Sequence, residues 1–288
     1  MRQHKRDELP GFFSLEQAQK DAAYNNSEAV ADSAERLKDW ESRSATCRQA
    51  PGARSDIRYG EKPNNLFDFF PSGGARAPLF VFIHGGYWHR NSKDIFGFVS
   101  TGPCAHGIDV ATIGYTLAPH ATLTEIVAEV FQALTFITSM ADELGFDPDR
   151  VYVGGWSAGG HLATLSANLP MVRGVMSISG IFDLEPIAET YINDELKLQP
   201  SEIETLAPIS NLPARPIPIA LFIGGDELSE LQRQSREFAE RASAEDLLVT
   251  VTTLPERNHY TIMEELASPD GMLTSALVEL ITGVTPSA

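Results

Sequence analysis

Short apolar segments alternate with longer amphipathic segments through most of the chain, beginning near residue 79. Gly, Pro or Asp bounds most of the apolar segments, as is typical of buried strands. Between them apolar residues recur at helical spacing, most clearly at Leu123–Leu144, where Thr122 and Glu125 form a capping box. The pattern predicts strands at Leu79–Ile83, Val110–Tyr115, Val151–Gly155, Val175–Ser179, Ile219–Ile223 and Leu248–Leu254.

Near-continuous apolar strands that alternate with helices are typical of a mostly parallel sheet with helices on both faces. Two more short strands, Asp56–Tyr59 and Leu66–Phe70, precede this region. Further helices are predicted at Ala158–Ala167, Ser229–Ala244 and Met263–Ile281. The fold class is therefore α/β, with one domain over residues 1–288.

Two regions depart from this alternation. Residues 1–54 have a helical and polar pattern, which predicts an N-terminal extension. Residues 181–218 are rich in proline and acidic residues, and the interval is longer than a strand-to-strand crossover needs. We expect this interval to form a small cap over the C-terminal edge of the sheet.

Composition narrows the range of partners. The 288 residues include 43% hydrophobic residues, and the net charge is −17, which argues against nucleic acid or an anionic membrane surface as partner. The charged N-terminus lacks the apolar stretch of a signal peptide, and no apolar run is long enough to span a membrane. Cys47 and Cys104 match no metal-ligand spacing and are expected to be buried thiols. A cytoplasmic protein is expected.

A nucleophile motif lies at Gly155-Trp156-Ser157-Ala158-Gly159. The G-x-S-x-G pattern alone is weak, but here it follows a predicted strand and precedes a predicted helix, as the nucleophile elbow of α/β-hydrolases requires. Small neighbours allow the strand and the helix to approach closely at a sharp turn. Ser157 would then stand at the N-terminus of a helix, where unpaired N–H groups favour developing negative charge.

A candidate oxyanion hole follows the strand Leu79–Ile83, in the sequence His-Gly-Gly-Tyr-Trp at 84–88. An HGG-type loop at this place supplies backbone N–H donors to the tetrahedral intermediate in hydrolases of this fold. The expected donors are the N–H groups of Gly86, Tyr87 and Ala158. His84 is expected to be a structural residue, and no phosphate-binding glycine pattern is present.

The general base is predicted from chain order. In this fold the order is Ser, then Asp or Glu, then His. Of the seven histidines, five precede Ser157 and His161 lies in the helix just after it, which leaves His259. His259 follows the last predicted strand, in the loop from which a base reaches back to the serine.

Two adjacent carboxylates, Asp226 and Glu227, compete for the role of the acid at the end of strand Ile219–Ile223. Aspartate is the commoner triad acid, which favours Asp226. Loops of this kind often place the acid three residues after the first glycine that ends the strand, and this spacing favours Glu227. Only one can face His259, because neighbouring side chains diverge. The resulting reaction is acyl transfer through an acyl-enzyme, and it needs no metal or other cofactor.

The chain resembles the kynurenine formamidases (arylformamidases). The resemblance rests on His-Gly-Gly-Tyr-Trp at 84–88, Gly-Tyr-Thr-Leu-Ala-Pro at 114–119, Gly-Trp-Ser-Ala-Gly-Gly-His at 155–161 and Ser-Gly-Ile-Phe-Asp-Leu-Glu-Pro-Ile at 179–187. It implies a serine hydrolase that cleaves N-formyl-L-kynurenine in tryptophan breakdown, with a Ser-Asp-His triad. Alignment through Arg233-Gln234-Ser235 places the family's acid on Glu227, a departure in residue type.

The substrate expected from these features is a small-molecule amide or ester. Tyr87, Trp88 and Phe182 are predicted to line an aromatic-walled pocket suited to an aryl group, although aromatic residues at such positions also pack under a cap. A general carboxylesterase is the alternative function, since the HGG and elbow motifs do not separate esters from amides. A catalytically inactive binding protein is a third hypothesis, and the complete set of Ser157, His259 and a carboxylate argues against it.

Overall fold

The computed structural model describes residues 10–283, and the eight strands of this part form one sheet. The strands are β1 (Arg54–Arg58), β2 (Leu66–Phe70), β3 (Ala77–Ile83), β4 (Asp109–Ile113), β5 (Phe146–Trp156), β6 (Val172–Ile178), β7 (Ile219–Gly224) and β8 (Val249–Leu254). Their order in the sheet is β1-β2-β4-β3-β5-β6-β7-β8. β1 and β2, and β2 and β4, are antiparallel, whereas the other neighbours are parallel.

Helices of very different lengths connect the strands. They are α1 (Pro10–Phe13), α2 (Gln17–Ala22), α3 (Asn26–Ala29), α4 (Ser33–Arg48), α5 (Thr101–Ala105), α6 (Leu123–Ser139), α7 (Ala141–Leu144), α8 (Ala158–Leu165), α9 (Glu185–Ala188), α10 (Asn193–Leu196), α11 (Pro200–Leu206), α12 (Ser229–Ala244), α13 (Glu264–Ala267) and α14 (Met272–Thr282). No helix among residues 10–283 is long and apolar enough to cross a membrane.

Both faces of the sheet are covered, as strand β3 illustrates. All its residues are buried, and successive side chains of a strand point to opposite faces. Leu79, Val81 and Ile83 belong to one hydrophobic cluster, which includes α6 and α8, whereas Phe80 and Phe82 belong to a second, which includes residues of α4 and α14. The predicted fold class, a mostly parallel sheet between two layers of helices, is confirmed.

Most elements follow the sequence pattern, including the capping box at the start of α6, where Glu125 N–H donates to Thr122 Oγ1 at 3.2 Å. One predicted helix is wrong, because Met263–Ile281 is not continuous. α13 ends at Ala267, and α14 begins at Met272. Pro269 lacks an N–H and forces Ser268 into an extended conformation (φ −83°, ψ 132°), which interrupts the helix.

The interval predicted as a cap contains α9, α10 and α11, between β6 and β7. It contacts the start of α6, where the N–H of Thr124 donates to Glu202 Oε1 at 2.8 Å. It also contacts the N-terminal extension through the ion pair of Lys20 with Glu189 at 3.1 Å. Residues 1–9 of the predicted extension lie outside the described residues.

A partly buried charge cluster, with Lys93 and Asp68 at its buried centre, joins β1 and β2 to the chain that follows β3. The Lys93 ammonium contacts Asp56 at 2.6 Å, Asp68 at 2.8 Å and Asp94 at 2.9 Å. Arg48 from α4 reaches the same three carboxylates. Because Lys93 is buried, its three partners are needed to offset the cost of removing the ammonium from water.

Both cysteines are free thiols and are only partly buried, so the expectation of buried thiols holds in part. Burial raises the pKa of the Cys104 thiol to about 12. Its Sγ lies 3.5 Å from the carbonyl oxygen of Phe70. A thiol held in its protonated form is a poor nucleophile, so Cys104 is inert near neutral pH.

Candidate active site

Ser157 occupies the turn between β5 and α8. Its backbone has φ 58° and ψ −120°, a conformation that only glycine adopts without cost. The turn is held in place by the sheet, since the Ser157 N–H donates to the carbonyl oxygen of Ile178 in the neighbouring strand at 2.8 Å. The side chain lies at the N-terminus of α8 and is only 2% exposed.

Two glycines make this turn sterically feasible. A Cβ at Gly159 would overlap the carbonyl oxygen of Ile83, and a Cβ at Gly155 would overlap the backbone of Gly159. Strand β3, strand β5 and helix α8 therefore meet with their backbones in contact. The glycines at both ends of the G-x-S-x-G motif are therefore required because no larger residue fits where these backbones touch.

The loop after β3 lies directly against Ser157. A Cβ at Gly85 would lie 3.0 Å from the Cβ of Ser157. The following residues Gly86, Tyr87 and Trp88 all have positive φ, at 116°, 48° and 59°. Among residues 10–283, no hydrogen bond uses the backbone N–H of Gly86, Tyr87 or Ala158. These donors are thus unoccupied beside the serine, and their role in an oxyanion hole stays a prediction.

The N-terminal extension holds the side chain of Tyr87. The Tyr87 hydroxyl donates to the carbonyl oxygen of Tyr24 at 2.6 Å and accepts from Nδ2 of Asn26 at 3.0 Å. Burial raises the pKa of this hydroxyl well above its usual range, so it stays protonated. A third contact joins Ser27 to the hydroxyl of Tyr260 at 3.2 Å, in the loop that follows β8.

His259 and Glu227 form a buried pair. Nδ1 of His259 lies 2.9 Å from Oε2 of Glu227, and the two side chains are 4% and 0% exposed. The indole N–H of Trp156, next to the serine, donates to the carbonyl oxygen of His259 at 2.8 Å, and the two rings are 4.8 Å apart. The loop after β8 is thereby attached to the turn that contains Ser157.

Asp226, the other candidate acid, is exposed and does not contact His259. Its backbone N–H donates to the carbonyl oxygen of Arg257, which turns its side chain away from the pair. The two neighbouring carboxylates diverge, as expected. The structure brings Glu227, and not Asp226, to the histidine.

The aromatic residues predicted to line a pocket are more deeply buried than an open pocket requires. Trp88 is fully buried and lies edge-on to His161 at 5.0 Å. Phe182 is also fully buried and stacks on Phe238 of α12 at 4.5 Å. The contacts of Phe182 are those of core packing, which favours the alternative that it packs under the cap, and its place in a pocket wall stays a prediction. A role of Tyr87 and Trp88 in binding an aryl group stays a prediction.

Two other histidines lie close to the elbow but are occupied by structural contacts. Nδ1 of His84 lies 2.9 Å from the carbonyl oxygen of Gly85, and its ring stacks on Tyr115 at 4.3 Å. Nε2 of His161 lies 2.8 Å from the carbonyl oxygen of Leu206. Burial lowers the pKa of each ring to about 4, so both are neutral at pH 7. Within residues 10–283, no group of three His, Cys, Asp or Glu side chains is placed to hold a metal ion.

Sequence reasoning missed two sets of residues at this site. Ser179, at the end of β6, donates its hydroxyl to Glu227 at 2.5 Å. Tyr24 and Asn26 hold Tyr87 from the N-terminal extension. Ser179 begins the segment 179–187 that carries part of the family resemblance, and this was an available signal. Nothing in the local pattern of Tyr24 or Asn26 indicates a contact with residue 87.

The chain is similar to several known hydrolases. The family described as BD-FAE matches residues 69–175. Kynurenine formamidases of Danio rerio and Salmo salar are each 28% identical to the chain, and the alignments cover 78% of the chain and 81% of each relative. The esterase LipC of Mycobacterium tuberculosis is 26% identical over 222 residues, which cover 66% of the chain and 55% of that protein.

Solved structures share the fold. A crystal structure of a candidate thioesterase from Silicibacter sp. superposes with a TM-score of 0.80 at 28% identity, and the match covers 90% of this chain and 98% of that one. The carboxylesterase EstE1 from a metagenomic library has a TM-score of 0.71 at 18% identity, over 88% of this chain and 96% of that one. At this lower identity the likeness concerns the fold alone.

Proposed function

Because the chain is a kynurenine formamidase-like α/β-hydrolase of the esterase and formamidase type, we propose that it is a serine hydrolase that cleaves a small acyl group from an aryl amine. N-formylkynurenine is the substrate we propose. One observation carries the mechanism: a buried His259–Glu227 pair at 2.9 Å, attached through Trp156 to the turn that holds Ser157 at φ 58°. The relatives named kynurenine formamidase supply the substrate class.

The reaction we propose begins with the transfer of the Ser157 proton to His259. Since Glu227 is bonded to Nδ1, the proton goes to Nε2, and the carboxylate stabilises the imidazolium. The serine oxygen attacks the carbonyl carbon, and the N–H groups of Gly86, Tyr87 and Ala158 stabilise the resulting oxyanion. The C–N bond then breaks, as His259 gives the proton to the leaving amine.

The second half of the reaction returns the enzyme to its starting state. Water gives a proton to His259 and attacks the acyl-serine ester. As the ester C–O bond breaks, His259 returns this proton to the serine oxygen, which releases the acid (formate from a formyl group) and restores the Ser157 hydroxyl. An aryl amine is a better leaving group than an alkyl amine, because its lone pair is delocalised into the ring. The burial of Ser157 supports a small acyl group, since a longer chain would need its neighbours to move.

A hydrolysis panel with purified protein tests this proposal. It contains N-formylkynurenine, N-acetyl and N-butyryl anilines and short p-nitrophenyl esters. We expect the formyl amide to have the highest kcat/KM, and Ser157→Ala to lower kcat by about 10⁴-fold or more. Ser166→Ala is the matched control, because Ser166 is a buried serine at the far end of α8 whose hydroxyl bonds to Ala163.

The same panel separates the alternative function. A carboxylesterase is favoured by the match to LipC, and it would cleave the p-nitrophenyl esters while leaving N-formylkynurenine intact. That result would overturn the formamidase proposal but keep the serine mechanism. Labelling by a fluorophosphonate probe in the wild type, absent in Ser157→Ala, tests the nucleophile separately from the substrate.

A further inference from the structure

Ser179 lies where strand β6 ends, one strand away from the nucleophile strand β5. It is fully buried, and its backbone has φ 51°, which is costly for a residue with a Cβ. Its N–H donates to the carbonyl oxygen of Phe222 in β7 at 2.7 Å. The backbone of Ser179 is therefore fixed to the neighbouring strand β7.

The Ser179 hydroxyl has one hydrogen-bond partner among residues 10–283, which is Glu227. Oε1 of Glu227 accepts from Ser179 Oγ at 2.5 Å and from the backbone N–H of Gly224 at 2.6 Å. Oε2 of the same carboxylate faces Nδ1 of His259 at 2.9 Å. The two oxygens thus have separate partners, one in the sheet and one in the base.

The position of the two donors explains why this carboxylate is well oriented although it lies in a loop. Ser179 follows the end of β6, and Gly224 is the last residue of β7. These strands are paired in parallel, with Ile178 opposite Phe222. Donors at the ends of paired strands are at a fixed distance from each other. Two hydrogen bonds to one oxygen then fix the plane of the carboxylate, and this plane decides where Oε2 points.

The backbone of Ser179 gives an independent reason to assign the hydroxyl a role. Glycine would adopt φ 51° without strain, so a serine here costs about 1 kcal/mol of backbone energy. Compared with glycine, serine adds a hydroxyl at this position, and this hydroxyl contacts Glu227. A purely structural residue at this turn would more simply be glycine.

We infer that Ser179 is a positioning residue of the proposed active site, which orients the Glu227 carboxylate so that Oε2 holds His259 in its catalytic orientation. The inference rests on the proposed function, because it assigns Ser179 a role in the same reaction. Ser179 does not touch the substrate. It acts through Glu227.

A double-mutant cycle tests this assignment. We expect Ser179→Ala to lower kcat by about 10-fold to 100-fold, by analogy with the hydrogen-bond partners that orient metal ligands, and to leave KM within about twofold. Glu227→Gln should lower kcat further. When Ser179→Ala is added to Glu227→Gln, kcat should change by less than about twofold, because the acceptor it orients is no longer a carboxylate. Two fully additive losses would overturn the inference.

Three matched variants distinguish the effect of losing the Ser179 hydroxyl from the effect of a changed fold. Ser179→Gly removes the hydroxyl and relieves the backbone strain, so it should lose as much kcat as Ser179→Ala. Ser177→Ala removes a buried hydroxyl two residues earlier that has no hydrogen-bond partner among the described residues, and it should keep wild-type kcat. Asp226→Asn should also keep wild-type kcat. Full activity in Ser179→Gly would show that backbone conformation, and not the hydroxyl, determines the effect.

A measurement without turnover keeps this inference distinct from the proposed function. In the wild type, the proton between His259 and Glu227 should give a downfield NMR resonance, which should be lost in Glu227→Gln. In Ser179→Ala the resonance should move upfield or broaden. If wild type hydrolyses nothing and this change occurs, the proposed function fails and the positioning role stands. If wild type is active while Ser179→Ala matches it in both kcat and resonance, the positioning role fails alone.

Discussion

At the scale of single residues, the neutral histidines beside the elbow make the stability of the protein sensitive to acid. His84 is 1% exposed and lies between the rings of Tyr115 and Phe96. Its Nδ1–H donates to the carbonyl oxygen of Gly85, whereas Nε2 has no partner among the described residues. A proton added at Nε2 would be a buried donor without an acceptor, which agrees with a pKa lowered to about 4.

The first prediction concerns His84→Asn, which keeps an N–H donor but removes the titrating ring. The folded-state pKa of His84 lies below the unfolded value near 6.5, so the unfolded chain binds the proton first as pH falls. The wild type should therefore lose about 2 kcal/mol of unfolding free energy from this ring between pH 7 and pH 5. Urea unfolding at both pH values should show a smaller loss in His84→Asn.

His120→Asn is the control for this experiment, because His120 is exposed on the surface. In His120→Asn the unfolding free energy should change with pH as it does in the wild type. An unchanged pH dependence in His84→Asn would contradict the lowered pKa.

Ser157 and His259 could be predicted from the sequence, because each belongs to a pattern that is visible along the chain. The serine lies in a glycine pattern between a strand and a helix, and one histidine follows the last strand. The choice between Asp226 and Glu227 could not be made from the residues alone. It depends on backbone rotation at one turn, where the N–H of Asp226 bonds to the carbonyl oxygen of Arg257. Two adjacent carboxylates carry no local signal of that rotation.

At the scale of secondary-structure elements, the loop after β3 is held from outside the sheet by the N-terminal extension. The hydroxyl of Tyr87 makes two buried hydrogen bonds, one to Tyr24 between α2 and α3 and one to Asn26, the first residue of α3. Tyr87 itself has φ 48°, in a loop with three consecutive positive φ values. Contacts of the side chain therefore stabilise a backbone conformation that the loop alone would not favour.

The second prediction concerns Tyr87→Phe, which removes the hydroxyl and keeps the ring. Two buried polar groups would lose their partner, so the unfolding free energy should fall by about 1–3 kcal/mol. We also expect kcat for the preferred substrate to fall by about tenfold, because small displacements of positioned donors are costly in acyl transfer. Urea unfolding and steady-state kinetics measure the two effects.

Tyr59→Phe provides the comparison. The hydroxyl of Tyr59 is also buried, and it donates to the carbonyl oxygen of Gly114 and accepts from Asn65. Its loss should destabilise the protein similarly while kcat is retained. If Tyr87→Phe also retained full kcat, the extension would contribute to stability but not to the geometry of the loop.

Elements whose residues are buried on both sides were the most predictable from sequence. Strands such as β3 leave continuous apolar runs, and these identify a strand even where its ends shift by two residues. The break between α13 and α14 could have been found, since Pro269 and Gly271 mark it. The complete burial of Phe182 could not have been predicted, because it depends on Phe238, 56 positions later in the chain (238 − 182). An aromatic residue in a core and one in a pocket look the same in sequence.

At the scale of the whole molecule, the N-terminal extension is anchored by Trp40 of α4. The side chain is fully buried and stacks on Phe98 at 5.0 Å. It lies edge-on to Trp156 at 5.7 Å, and its indole N–H donates to Glu264 at 2.8 Å. The side chain of Trp40 thus joins the N-terminal extension to strand β5 and to helix α13.

The third prediction is that Trp40→Ala lowers the unfolding free energy by about 3–5 kcal/mol, as is usual for large aromatic residues removed from a core. Trp40→Phe keeps an aromatic ring and should lose less. Lys38→Ala, at an exposed position of the same helix, should stay within about 0.5 kcal/mol of the wild type in urea unfolding. A loss below about 1 kcal/mol in Trp40→Ala would show that α4 is not anchored by this residue.

The contacts of the extension have a consequence for the order in which the protein can be made. Ser27 meets Tyr260 across 233 positions, and Trp40 meets Glu264 across 224. At about 5–20 residues per second, a ribosome needs about 10 to 45 seconds to deliver those partners. Helix α4 is rich in charged residues, so it remains soluble in water before its partners have been made. The pair of His259 with Glu227, and its attachment to Trp156, can form only after residue 259 has been made. A chain that ends before this residue would therefore contain Ser157 without the base that we propose.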